Sequence, residues 1–190
     1  MNPCMTKSIN PELVITQVKR LVESDKRSEI RLNANGGNSI LLVCRPDMEH
    51  VYVQQLRSLM DEKEYSIIDI NEILVSFTEK NHADIEELFE VLKGSINQIF
   101  KAPIGESRTD LFGNILSEID HAIKTGRIPV LIHTGALYGS GIDNIHLMES
   151  ELVMGANKPL ILLYPATQDG DQLLFLNTRP ASKYRCMIVN

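Results

Sequence analysis

The residues best placed by type and spacing to do chemistry lie in the run His133-Thr134-Gly135-Ala136-Leu137-Tyr138-Gly139-Ser140-Gly141. A glycine-rich loop between a strand and a helix can bind an anion through its backbone N–H groups and the helix N-terminus. A phosphate loop ends in Lys followed by Ser or Thr, and this run contains no Lys. The G-x-G-x-x-G spacing of dinucleotide sites is missing too. Ser140 invites comparison with a nucleophile elbow, but that motif is G-x-S-x-G, and Tyr138 and Ile142 occupy the outer places. Tight turning is the plainer role for these glycines.

Of the five histidines, His133 is the best placed for acid–base work. It ends a strand and can neighbour Asp69 or Asp169 at the loop edge of a sheet. A packed strand-end histidine is the plainer alternative. No histidine falls in an H-E-x-x-H or H-x-x-E-H pattern, and no Cys/His pair has zinc spacing, so no metal or other cofactor is expected. Cys44 beside Arg45 has the setting of a lowered thiol pKa, although cysteine is more often simply buried. Asp47 and Asp69 sit near the ends of two strands and could share a cation; each also suits a helix N-cap.

Apolar periodicity supplies the elements that must carry these groups. Asn10 and Pro11 open a helix with Val14, Val18, Leu21 and Val22 on one stripe, after a short disordered lead over residues 1–9. Ser39–Cys44 and Tyr65–Asp69 read as strands, with a helix between them that Asp47 can cap. A long helix runs from a capping pair at Asp84 and Glu87 to Phe100. A second carries Phe112, Ile115, Ile119 and Ile123 and ends at Gly126. Strands Pro129–His133 and Pro159–Leu163 each run into a loop, with a helix over Ile142–Met154 between them. Asp169-Gly170 signals a hairpin returning through Gln172–Leu176, and Tyr184–Val189 is extended. Uniformly apolar strands alternating with helices predict one three-layer α/β domain over residues 1–190, with a mostly parallel sheet and a C-terminal antiparallel hairpin at its edge.

Composition narrows the class. The chain has 190 residues, 43 % of them hydrophobic, enough for one core and with no apolar run of membrane-span length. Three cysteines without a framework, and no secretory pattern, fit a reducing cytoplasm. Net charge is −6, concentrated in residues 51–125, which carry seven basic and fourteen acidic side chains. Direct nucleic-acid binding is not expected without a basic face.

An ordered series remains: Thr134-Gly135, Tyr138, Pro159-Leu160, Tyr164-Pro165, Asp169-Gly170, Leu173-Leu174-Phe175 and Tyr184-Arg185. In that order and at those intervals it resembles the C-terminal part of the BrxB family of BREX phage-defence systems, over roughly a third of the chain. Ile40–Val43 and Arg45-Pro46-Asp47-Met48-Glu49 resemble its first strand and turn more loosely. Gly139, Ala166, Gln168 and Lys183 depart from the family's usual residues. The resemblance implies a non-catalytic accessory subunit beside a PglZ-type phosphatase-fold protein, with a homo-oligomer also open. It offers no catalytic residues. On that reading Arg45, Asp47, Thr134, Gly135, Tyr138, Ser140, Tyr164, Asp169, Tyr184 and Arg185 are the candidate contacts for a partner or ligand. The alternatives are a degenerate nucleotide- or anion-binding domain and, with less support, a hydrolase using His133 with a carboxylate.

Overall fold

Six consecutive buried residues make β1, Ser39–Cys44, as expected of a strand covered on both faces. The structure, a computed structural model, describes residues 10–24, 27–95, 97–103, 106, 110–169, 172–181 and 184–190. The expected disordered lead at 1–9 therefore lies outside the described residues. The other strands are β2 (Tyr65–Asp69), β3 (Ile128–Ile132), β4 (Leu160–Asp169), β5 (Gln172–Phe175), β6 (Arg179–Pro180) and β7 (Met187–Val189). The main sheet runs β2-β3-β4-β1-β7, parallel throughout.

Side chains alternate between the two faces of this sheet. Ile40, Leu42, Val130, Ile161 and Leu163 pack under α1 (Pro11–Glu23), α2 (Arg27–Asn33) and α3 (Glu49–Leu59). Leu41, Val43, Ile68, Leu131, Leu162 and Tyr164 point the other way. They meet the second helical layer: α4 (Ile70–Lys80), α5 (His82–Val91), α6 (Asn97–Phe100), α7 (Leu111–Lys124), α8 (Asn144–Met148) and α9 (Glu151–Gly155). The chain is thus a three-layer α/β domain with a mostly parallel sheet. Among the described residues, no helix is long and apolar enough to cross a membrane.

Several local expectations need correction. The helix expected from Asp84 to Phe100 is two, α5 and α6, interrupted where Gly94 and Ser95 make continuation costly. Asn81, not Asp84, stands at the N-cap of α5. Ile142–Met154 likewise divides, because the Ser150 hydroxyl donates to the Leu147 carbonyl and accepts from the Val153 N–H, starting α9. Asp47 caps nothing: it lies in a 3₁₀ turn, Pro46–Met48, and pairs with Arg45. By contrast, Asp69 does cap α4 through the Asn71 N–H at 3.0 Å.

The largest revision concerns β4. The segment expected as a loop after Leu163 stays extended to Asp169, pairing first with β1 and then with β5. Pro165 has no N–H to give, but its carbonyl accepts from the Leu176 N–H at 2.9 Å, so the strand survives it. The hairpin therefore grows from the carboxyl end of a central strand, not from the sheet's lateral edge. Gly170, in the expected turn, lies outside the described residues.

Candidate functional site

The loop after β3 stands on its own internal bonds. Thr134–Leu137 forms a 3₁₀ turn. The Ala136, Tyr138 and Ser140 N–H groups donate to the carbonyls of His133, Gly135 and Leu137 at 3.0–3.1 Å. The Ser140 hydroxyl donates to the Leu137 carbonyl and accepts from the Ile142 N–H. Gly141 is needed for packing, since a β-carbon there would stand 2.6 Å from Asn97 Cβ. Alternate donors that an anion cradle would aim outward are thus engaged within the loop, and α8 beyond it has only five residues. Thr134 is fully buried and donates to the Leu163 carbonyl at 2.7 Å. Thr134 and Ser140 therefore pin the loop and offer no surface, while Gly135 packs against Leu176.

β3 and β4 are sheet neighbours, and Tyr138 and Tyr164 line one shallow cleft with Tyr184 and Arg179. Their roles differ sharply. Tyr164 is 1 % exposed, stacks on Phe175 at 4.8 Å, and shares a 3.0 Å hydrogen bond with the Tyr184 hydroxyl. Burial, then that bond, raises its pKa. Tyr164 is core, which corrects its reading as a surface contact. Tyr138 is 56 % exposed. Arg185 forks onto Glu149 at 3.2 and 3.3 Å, a bond that lowers the carboxylate's pKa and ties the C-terminal segment to the end of α8. Arg45 and Asp47 pair with each other in the open, and Asp169 is exposed at the far end of β4.

A second group gathers where β2 and β3 end. His133 adopts left-handed backbone, φ 55°, a conformation in which histidine is enriched. Its Nδ1 lies 2.9 Å from Asp69 Oδ1, whose carboxylate also meets Arg57 at 3.3 Å. From the first turn of α3, the Glu49 carboxylate stands near His133 and Asp69, and its Oε1 is buried without a hydrogen-bond partner among the described residues. Burial raises the Glu49 pKa, and the nearby His133 partly opposes that rise. This arrangement orients an imidazole whose other nitrogen, Nε2, can take a proton. Cys44 is buried, and burial with the Glu49 and Asp47 carboxylates raises its pKa, contrary to an activated thiol. No group of three or more His, Cys, Asp or Glu side chains is placed to hold a metal ion among the described residues.

Glu49, Arg57 and Arg179 are the site residues that sequence reading missed. Arg179 reaches Asp143 at 2.9 Å across the cleft, over 36 positions of chain. No local pattern announces such a pair. Comparison with known proteins brings no match to the chain, whether among family models, curated proteins or solved structures.

Proposed function

We propose that this chain is an accessory subunit that works through protein–protein contacts, in a BREX-type defence complex beside a PglZ-type phosphatase-fold protein. The observation that carries the contact reading is Tyr138, a half-exposed aromatic at the carboxyl end of the sheet on a loop immobilised by its own hydrogen bonds. A rigid tyrosine gives contact area at small entropic cost, which is why interface hot spots favour it. Arg179, 55 % exposed and steered by Asp143, adds a planar donor fork beside it. The defence assignment rests on the ordered series from Thr134 to Arg185.

A second reading is favoured by the His133–Asp69 pair, in which Asp69 orients the ring and Nε2 acts as a general base. One experiment separates the two. Wild type, Tyr138→Ala and His133→Asn are each co-expressed with a PglZ-type protein and captured, and each is assayed on ester and phosphodiester substrates. The accessory reading expects capture by wild type and His133→Asn, a loss of about tenfold or more in Tyr138→Ala with an unchanged melting temperature, and no turnover that depends on His133. Wild type that captures nothing overturns it. Turnover abolished by His133→Asn establishes the second reading instead.

A further inference from the structure

β2 ends the strand order of the sheet, and among the described residues no strand pairs with its outer side. In a parallel ladder, alternate residues turn both backbone groups toward the neighbouring strand. The Ile128 N–H donates to the Glu64 carbonyl, so Ser66 and Ile68 continue toward β3, and the N–H and C=O of Ile67 point away from it. Edge strands are commonly guarded by Lys, Pro or a bulge. Tyr65-Ser66-Ile67-Ile68-Asp69 contains no Lys or Pro, and five residues pair with β3 in unbroken register. The opposite edge, β7, is three residues long.

Along this edge runs a groove of about 440 Å³ walled by β2, α4 and α7. Consecutive residues Ser66, Ile67, Ile68 and Asp69 all line it, although successive side chains leave a strand on opposite faces. The groove therefore follows the strand's edge and not one face of the sheet. Ile73 and Phe77 give it an apolar floor. Its charge is one-sided: Asp69 is held by Arg57 and His133, whereas Glu72 and Glu118 are exposed and form no ion pair among the described residues. Lys80 is the single cation on the lining.

We infer that this groove takes an extended basic segment of a partner protein, which adds to the sheet as a strand beside β2. Backbone bonds to Ile67 supply register, and of the side chains turned toward α4 and α7 the apolar ones settle on Ile73 and Phe77 while Lys or Arg meet Glu72 and Glu118. This goes beyond the Tyr138 face, and the two surfaces succeed or fail separately.

The probe is a fluorescein-labelled eight-residue peptide that repeats Val-Val-Lys-Lys, so that each face of the strand carries both valine and lysine. Its controls carry glutamate for lysine, or N-methyl groups on alternate amides. Anisotropy titrations are expected to show saturable binding of the lysine peptide, slowed amide exchange at Ile67, and no binding of the glutamate peptide. N-methylation, and separately the exposed double substitution Glu72→Lys/Glu118→Lys, should each weaken binding by about tenfold or more. A melt of the double variant matching wild type shows that its fold is intact. Absent binding of the lysine peptide overturns the inference. So does binding indifferent to N-methylation, which is charge attraction without strand pairing, or binding indifferent to the charge reversal, which lies elsewhere.

Discussion

His146 shows how a single side chain can make the fold sensitive to acid. Its Nδ1 accepts from the Asp143 N–H at 3.0 Å, an acceptor role open only to a ring unprotonated at that atom. Burial first, then the Lys101 ammonium, lowers its pKa below 6.5, and Asp143 opposes them. Because the folded value is depressed, the stability involved is present above pH 6.5 and is lost as pH falls through the lower folded value. His146→Gln keeps an acceptor at the third helical position without a titrating ring. Melting temperatures between pH 7.5 and 5 should therefore fall more steeply for wild type than for His146→Gln. Parallel curves would assign the acid sensitivity to other groups. At this scale, the sequence foretold that His133 and Asp69 could meet, because strand ends on one side of a parallel sheet converge. Glu49 and Arg57 reach them from α3, and a helix's rotation about the sheet is decided by packing that no local motif encodes.

Close approach between elements places its own demands, most sharply at Gly37. A β-carbon there would lie 1.8 Å from the Arg185 carbonyl oxygen, so the turn before β1 and the segment before β7 pass backbone to backbone. Gly37→Ala must push that segment away, weakening the β1–β7 pairing at Ile40–Leu42. Overpacking of this kind costs about 1–3 kcal/mol. The expected result is a lower midpoint in urea denaturation, together with faster amide exchange across β7. An unchanged midpoint would mean that the segment shifts freely. β1 and β3 were legible in the sequence to within a residue or so because every residue of each is buried; β2 was legible although only Tyr65 and Ile68 of it are buried, since Asp69 marks its end as the cap of α4. β4 was cut short at Leu163 because Pro165 reads as a stop, and its tolerance depends on a carbonyl bond to Leu176, eleven positions along the chain. α2 escaped notice, since Ile30 is buried while Leu32, its other apolar residue, stands exposed, which leaves no apolar stripe to read. The helices split at Ser95 and Ser150 looked continuous because their apolar spacing persists across the breaks.

Across the whole molecule, two thiols report on how the sheet opens. Cys44 ends β1 and Cys186 precedes β7; both are buried, and burial pushes Cys186 up to about 12. Reaction of either with a disulfide reagent near neutral pH therefore requires exposure first. A three-residue edge strand opens more readily than an interior one. In a Cys4→Ser background, Cys186 should label before Cys44, with Cys44 following the global unfolding rate; the reverse order would place the weak point at the centre of the sheet. That centre has a further consequence, for the order of folding. Ser39 pairs with Leu160 and Ile40 with Met187, so β1 finds its neighbours only in the last part of the chain. β2 and β3 can associate earlier, but β1 must wait, and contacts so distant in sequence are slow to form. During synthesis the fully apolar stretch Ile40–Val43 emerges long before β4 exists to cover it. A strand with no exposed position in the native sheet is thus the one longest without a partner in the growing chain, and there the molecule is most open to aggregation.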